Sequence, residues 1–218
     1  MRDILVAPSI LSADFAAMGE AVEKLERAGA DMIHCDVMDG SFVPKITFGS
    51  DMVAAVRRHT SLPLDVHLMC VQPQNKIEAF AAAGAHTLTV HFEATIDKTE
   101  QILKSIRSLG VKAGISISPD TPVKSIYDIL EYADMLLVMS VYPGRGGQKL
   151  IERTLAKAEE ARSFLENSGL SCDIEMDGGI TEENVSQVIA AGVNVIVAGN
   201  TVFTAKDMAA TIKRLKNG

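Results

Sequence analysis

The sequence predicts an α/β fold: a (β/α)8 barrel of the TIM-barrel type that forms one domain over residues 1–218. β-rich runs alternate with amphipathic helical runs along the whole chain, and eight such pairs are present. With 218 residues, each pair averages about 27 residues, which is close to the minimum for this barrel. No linker and no shift in composition divides the chain.

Eight short apolar runs are predicted as the strands. They span residues 4–8, 32–37, 64–69, 86–91, 111–117, 135–141, 172–177 and 193–198. Glycine closes the helical run before several of them, at Gly29, Gly84, Gly110 and Gly192, because glycine adopts the left-handed conformation that ends a helix. Helix-capping residues are expected at Asp14, Ser50, Asp97, Thr121 and Thr181.

A doubly wound open sheet is the alternative architecture for alternating strands and helices. That fold normally carries a glycine-rich turn after its first strand. Here the first strand is followed by residues 8–12, which contain no glycine. The sequence therefore favours the barrel.

Composition and charge exclude several classes of protein. A hydrophobic content of 47% excludes intrinsic disorder. A net charge of -7 argues against nucleic-acid and anionic-membrane partners. No run is long and apolar enough for a membrane span, and the first 15 residues lack the pattern of a signal peptide. Three scattered cysteines argue against a disulfide framework and favour a cytoplasmic location.

Four candidate metal ligands lie at the predicted carboxyl ends of three strands. His34 and Asp36 are two positions apart on the second strand, so their side chains share a face. His67 lies near the end of the third strand and Asp177 at the end of the seventh. Active sites of (β/α)8 barrels form at this end. Two imidazoles and two carboxylates there predict a site for one divalent ion, Zn, Fe, Mn or Co.

The other histidines are assigned structural roles. His91 ends the fourth strand without a partner two positions away, whereas His59 and His86 fall at a helix end and a strand start.

Glycine-rich turns follow the last three strands and are candidates for a phosphate site. They contain Gly144, Gly146, Gly147, Gly178, Gly179, Gly199 and Asn200. Glycine lets backbone amides approach an anion closely, and the loops after strands 7 and 8 often bind phosphate in such barrels. Met38, Met69 and Met139 fall at strand ends at the same mouth, either as core fillers or as an apolar cover over a reacting carbon.

Taken together, these stretches resemble the ribulose-phosphate 3-epimerase family. The matching segments are 7–14 (APSILSAD), 34–40 (HCDVMDG), 42–44 (FVP), 65–69 (DVHLM), 143–148 (PGRGGQ, except for its arginine) and 177–180 (DGGI). Order and spacing are kept over essentially the whole chain. D-allulose-6-phosphate 3-epimerases share nearly all of this pattern.

The resemblance implies a metal-dependent isomerase that interconverts D-ribulose 5-phosphate and D-xylulose 5-phosphate in the pentose phosphate pathway. It implies a metal held by His34, Asp36, His67 and Asp177, with Asp36 and Asp177 as the acid/base pair. No organic cofactor is implied, and a homo-oligomer is expected. The implied substrate contacts are Ser9, His67, the three methionines and, around the phosphate, Gly144, Gly146, Gly147, Gly178, Gly179, Gly199 and Asn200.

Elementary chemistry agrees with this reaction. Inverting C3 of a ketose removes a proton from one face and returns one to the other, so two proton carriers are needed on opposite sides of a planar cis-enediolate. A metal stabilises the negative charge that develops on the substrate oxygens. The remote phosphate contributes binding energy that positions the reacting carbons.

Departures from the family pattern lie outside the four candidate ligands. They are Lys45, Tyr142, Arg145, Leu150 and Asn200. We hypothesise that Arg145 reshapes the cover over the sugar phosphate, so the preference for a pentulose or a hexulose phosphate stays open. The identity of the metal and any oxidant sensitivity of Cys35 and Cys70 also stay open. The functional alternatives are a hexulose-6-phosphate 3-epimerase and a noncatalytic phosphate-binding barrel; exchange of solvent deuterium into C3 would exclude the noncatalytic one.

Overall fold

The computed structural model describes residues 3–218 and contains eight β-strands. They are β1 (Leu5–Ala7), β2 (Ile33–Met38), β3 (Leu64–Met69), β4 (Thr87–His91), β5 (Lys112–Ile117), β6 (Met135–Met139), β7 (Asp173–Asp177) and β8 (Val195–Val197). Each lies within the run that predicts it or extends past it by one residue. All eight predicted strands are thus confirmed.

The strands form one parallel sheet that closes into a barrel. Their order is β1-β8-β7-β6-β5-β4-β3-β2. β1 and β2 meet just beyond the end of β1, where Ser9 forms a parallel bridge with His34 and the His34 amide donates to the Pro8 carbonyl at 3.1 Å. The predicted (β/α)8 barrel is confirmed.

Helices connect the strands and pack on the outside of the barrel. They are α1 (Met18–Arg27), α2 (Ser50–Arg57), α3 (Ile77–Ala82), α4 (Thr99–Ser108), α5 (Arg153–Asn167), α6 (Val185–Ala190), α7 (Asn200–Phe203) and α8 (Met208–Asn217). A ten-residue 3-10 helix, Val123–Tyr132, takes the place of an α-helix between β5 and β6. Across residues 3–218, none of the helices is both long and apolar enough to cross a lipid bilayer.

The helix-capping predictions succeed only in part. The Asp14 carboxylate accepts from the Ala16 amide at 2.9 Å in the turn that leads into α1, as expected. Ser50 is instead the first residue of α2, and Asp97 makes no capping hydrogen bond. The prediction of Thr121 as a helix cap is wrong, because its hydroxyl donates to the Glu93 carboxylate. Thr181 accepts from an amide before α6, but the N-cap position itself falls on Asn184.

The two faces of the strands bury different chemistry. On β2, Ile33, Cys35 and Val37 belong to the large apolar cluster shared with the helices, whereas His34 and Asp36 alternate with them. The same alternation places buried polar side chains on β3, β4, β5 and β7, among them Asp65, Thr87, Thr89, Ser116 and Glu175. Barrels of this class usually fill this interior with Val, Ile and Leu. Because a buried polar group without a hydrogen bond costs about 1–3 kcal/mol, the polar interior does not serve stability.

Cys35 and Cys70, whose sensitivity to oxidants the sequence leaves open, are buried thiols. Both side chains are fully covered by protein, and burial raises the pKa of Cys70 to about 12. Since the thiolate is the reactive form, the structure supports a packing role for these residues.

We expect Gly114→Ala to destabilise the barrel by about 1–3 kcal/mol through overpacking. Gly114 pairs with Thr89 across β4 and β5, and an added Cβ would lie 2.1 Å from the Thr89 hydroxyl oxygen and 3.1 Å from its Cα. Urea unfolding followed by circular dichroism measures the change. Gly146→Ala is the control, because the nearest atom to its Cβ is 3.9 Å away. Equal unfolding midpoints for the two variants would contradict this account.

Candidate active site

The four predicted ligands come together at the carboxyl end of the barrel. One ligand atom from each of His34, Asp36, His67 and Asp177 lies within 4.8 Å of the others. Asp36 is central, since its Oδ1 lies 3.4 Å from Nε2 of His34 and 3.2 Å from Nδ1 of His67. β2 and β3 place Asp36 directly beside His67 in register. The convergence expected from the strand positions is therefore observed.

The donor set fits a divalent cation. It offers two imidazole nitrogens and two carboxylates, which are the ligands that first-row divalent ions accept. Within residues 3–218, Nε2 of His34 is buried and finds no hydrogen-bond partner. Its other nitrogen, Nδ1, lies 2.5 Å from Oδ2 of Asp65. A carboxylate in this position holds the proton on Nδ1 and leaves the Nε2 lone pair directed at the cluster, as behind many metal-binding histidines.

Two carboxylates beneath the cluster were not found by the sequence analysis. Asp65 and Glu175 are fully buried, and the Glu175 carboxylate lies 3.6 Å from Nδ1 of His34. Burial and the nearby charge of Asp65 raise the pKa of Glu175 well above its usual value. Asp65 precedes His67 by two positions and Glu175 precedes Asp177 by two, so the period-2 argument used for His34 and Asp36 also points to them.

The environments of the two candidate acid/base groups drive their pKa values apart. Burial alone would raise the pKa of Asp36, but the charge of His34 and the adjacent imidazoles of His34 and His67 hold it far below its usual value. Burial and the negative charge of Asp36 raise the pKa of Asp177 to about 7. Neighbouring carboxyl groups with separated pKa values are typical of a base paired with an acid.

The pKa values of the two histidines in the cluster also shift in opposite directions. Burial lowers the pKa of His67 to about 4, so its imidazole is neutral near neutral pH. Burial also acts to lower the pKa of His34, but the charges of Asp36 and Asp65 raise it well above its usual value. At His34 Nε2, a proton and a metal ion compete for one lone pair.

A cavity of about 450 Å³ opens above the cluster. Asp36 and Asp177 line it, and His34 and His67 do not, because both histidines are fully buried beneath. The Ser9 hydroxyl donates to Oδ2 of Asp36 at 2.6 Å. The remaining predicted substrate contacts all line the cavity: Ser9, Met38, Met69, Met139, Gly144, Gly146, Gly147, Gly178, Gly179, Gly199 and Asn200.

The glycine-rich turns meet on one side of this cavity. Gly179 has φ +68°, and a Cβ there would lie 2.2 Å from the backbone nitrogen of Leu150, so the turns after β6 and β7 touch through backbone that only glycine permits. Within residues 3–218, the amides of Gly146, Gly147 and Gly179 donate no hydrogen bond. Unpaired amides beside a cavity suit an anionic group.

The departures from the family pattern divide between the cavity and its surroundings. Arg145, Leu150 and Asn200 line the cavity, and Lys45 and Tyr142 do not. The Tyr142 hydroxyl donates to Asp120 at 2.9 Å. The turn after β6 is braced by Gln148, whose side-chain amide donates to the Tyr142 and Arg145 carbonyls at 2.8 and 2.9 Å.

Comparison with known proteins identifies close relatives. Residues 5–203 match the model of the ribulose-phosphate 3 epimerase family. The chain is 49% identical over 216 residues to a chloroplastic ribulose-5-phosphate-3-epimerase of Arabidopsis thaliana, covering 98% of this chain and 76% of the relative. It is 47% identical to the ribulose-phosphate 3-epimerase of Bacillus subtilis (strain 168), covering 98% of both chains.

Solved structures of lower sequence identity share the fold alone. A 3-hexulose-6-phosphate synthase superposes with a TM-score of 0.70 at 20% identity, covering 99% of both chains. KGPDC from Streptococcus mutans gives a TM-score of 0.73 at 14% identity, covering 99% of this chain and 97% of that one. With a family match over most of its length and relatives near half identity, the chain belongs to the ribulose-phosphate 3-epimerase family and is an enzyme of the isomerase class.

Proposed function

We propose that this protein interconverts D-ribulose 5-phosphate and D-xylulose 5-phosphate by epimerisation at C3. The observation that carries the proposal is that Asp36 and Asp177 line one cavity from β2 and β7, with two buried histidines beside them. The names of the relatives agree with this substrate pair. A noncatalytic phosphate-binding barrel would not need two carboxyl groups with opposed pKa shifts in the same cavity.

The proton transfers are assigned to the two aspartates. In one direction, Asp36 takes the C3 proton, the electron pair of that bond enters a planar cis-enediolate, and Asp177 returns a proton to the opposite face. The reverse reaction exchanges their roles. A carboxylate with a depressed pKa and a carboxyl group with a pKa of about 7 start in the protonation states that this direction needs. The Ser9 hydroxyl fixes the Asp36 carboxylate for the transfer.

We assign His34, Asp36, His67 and Asp177 as the residues that would hold one divalent ion. When bound, the ion supplies electrophilic stabilisation of the negative charge that develops on the substrate oxygens. The ligand set accepts Zn, Fe, Mn or Co. The protein's own contribution is to fix the two imidazoles in place through the buried contacts of His34 with Asp65 and of His67 with His91.

The rest of the cavity binds and shields the substrate. The unpaired amides of Gly146, Gly147 and Gly179 receive the phosphate, together with the turn at Gly199 and Asn200. Met38, Met69 and Met139 are 1–2% exposed and form apolar walls that keep water from the reacting carbons. The cytoplasmic location and the homo-oligomer expected from the sequence stay predictions.

Replacing either aspartate with asparagine is expected to lower the epimerisation rate by about 10²- to 10⁴-fold, the usual contribution of a general acid or base. Each variant should keep solvent exchange at C3 of only one epimer, the one whose C3 proton faces the remaining carboxyl group. Deuterium incorporation followed by NMR, with the metal content measured in parallel, checks Asp36→Asn and Asp177→Asn. Asp51→Asn, at an exposed position on α2, is the control. Undiminished epimerisation by either metal-loaded variant would contradict the assignment.

Removing the metal is expected to abolish epimerisation, because the charge on the enediolate then lacks its electrophile. Adding back Zn, Mn, Fe or Co should restore the activity with one ion bound per chain. Elemental analysis and the C3 exchange assay on the same sample provide the measurement. Full activity in protein that elemental analysis finds metal-free would reject the metal assignment.

Arg145→Phe is expected to change the Michaelis constants for pentulose and hexulose phosphates by about fivefold, which corresponds to about 1 kcal/mol for an exposed charge contact. Arg145 lines the cavity, whereas Lys45, another departure from the family pattern, does not. Lys45→Met is therefore the matched control. Steady-state kinetics on both substrates test the idea, and unchanged constants in Arg145→Phe would refute it.

A further inference from the structure

The turn that follows β1 carries two serines, and both lie at the cavity. Residues Ile10–Ser12 form a 3-10 turn, in which the Ser12 amide donates to the Ser9 carbonyl at 3.3 Å. Positions three apart lie on the same side of such a turn, and Ser9 and Ser12 both line the cavity. The Ser9 hydroxyl is occupied at the reacting end, because it donates to Asp36 and accepts from the Leu11 amide.

The Ser12 hydroxyl is free to bind a ligand. Four residues with hydroxyl side chains line the cavity: Ser9, Ser12, Thr181 and Thr201. The hydroxyls of Ser9 and Thr201 donate to a carboxylate and to a backbone carbonyl, and that of Thr181 accepts from an amide. Within residues 3–218, the hydroxyl of Ser12 makes no hydrogen bond. Ser12 is half-buried, so its hydroxyl is held in place and still reaches the cavity.

The position of this hydroxyl is beside the glycine-rich turns. Oγ of Ser12 lies 2.6 Å from the place that a Cβ would take at Gly199 and 3.9 Å from the corresponding place at Gly146. Gly146 and Gly199 belong to the turns after β6 and β8, to which we assign the substrate phosphate. Since β1 pairs with β8 in the sheet, Ser12 reaches the same part of the cavity from the neighbouring strand.

The charges around the cavity make neutral donors necessary for an anion. Four acidic residues line it, Asp36, Glu152, Asp177 and Glu183, against two basic residues, Arg145 and Lys149. The net charge of the lining therefore does not attract a phosphate, and binding depends on N–H and O–H groups that point at its oxygens. A phosphate presents three strongly accepting oxygens, each able to accept more than one hydrogen bond, so the glycine amides leave acceptor positions for a hydroxyl.

We propose that the Ser12 hydroxyl donates a hydrogen bond to the phosphate of the substrate. The inference rests on the proposed function and adds to it a side-chain contact from the turn after β1, which the glycine amides do not provide. One short turn thereby holds the Asp36 carboxylate through Ser9 and the phosphate through Ser12. The turn consequently fixes the distance between the group that takes the C3 proton and the far end of the sugar phosphate.

Ser12→Ala tests this contact on substrates with and without the phosphate. For D-ribulose 5-phosphate we expect kcat/KM to fall about 10- to 100-fold, the usual effect of losing one hydrogen bond to a charged group. The inhibition constant of inorganic phosphate should rise by a similar factor. For D-ribulose, the same sugar without its phosphate, solvent exchange at C3 should proceed as fast as in the wild type. A purely structural role of Ser12 would instead lower the activity on both sugars.

Ser105→Ala is the matched control. Ser105 is another half-buried serine, but it lies on α4, where its hydroxyl donates to the Gln101 carbonyl at 2.8 Å. It does not line the cavity. All three quantities should keep their wild-type values in this variant.

Two outcomes in Ser12→Ala would overturn the contact. One is an equal loss of activity on both sugars, and the other is an unchanged inhibition constant of inorganic phosphate. Wild-type crystals grown with inorganic phosphate decide even if the variant does not fold, since a phosphate oxygen should lie within about 3.0 Å of Oγ of Ser12. A phosphate bound at the glycine turns but beyond that distance, or no phosphate there, refutes the proposal. Phosphate on Ser12 in a protein that does not epimerise D-ribulose 5-phosphate would reject the proposed reaction and leave the contact intact.

Discussion

The Asp36 carboxylate is the group on which the arrangement of the candidate site depends. One of its oxygens accepts the Ser9 hydroxyl, and the other lies between Nε2 of His34 and Nδ1 of His67. Its negative charge also contributes to the raised pKa of Asp177 across the cavity. Orientation of the histidines and separation of the two carboxyl pKa values thus share one cause. A carboxylate this buried is tolerated only because all of these partners surround it.

That arrangement requires buried polar side chains in the barrel interior, which do not serve stability. Asp65, Glu175 and the hydroxyls of Thr87, Thr89 and Ser116 occupy positions that apolar residues usually fill. Several of these atoms find no hydrogen-bond partner in the part of the chain that the structure describes. The barrel tolerates these unpaired polar groups because the opposite faces of the strands pack an extensive apolar layer against the helices. On β2, β3, β4, β5 and β7, the apolar packing and the buried polar groups therefore lie on opposite faces of the same strands.

The carboxylates behind His34 and His67 extend the candidate site beyond the residues that line the cavity. Asp65 reaches His34 from the adjacent strand, and Glu93 reaches His67 only through His91. Glu93 is itself held by the loop after β5. That loop is thereby connected to the candidate cation site through a short chain of buried contacts, although none of the four candidate ligands lies on it.

The sequence by itself determined the eight strands, their closure into a barrel and the convergence of His34, Asp36, His67 and Asp177. Strand periodicity and the common location of strand ends are local properties, and they suffice for this. The same periodicity also contains Asp65 and Glu175, which the search for strand-end ligands passed over. Only the tertiary structure shows which groups His91 contacts, because its partners lie on β3 and beyond the end of β4. Likewise, Thr121 resembles a helix cap in sequence, but its hydroxyl bonds to a carboxylate 28 positions away. Contacts between strands depend on register and ring orientation, which no local pattern encodes.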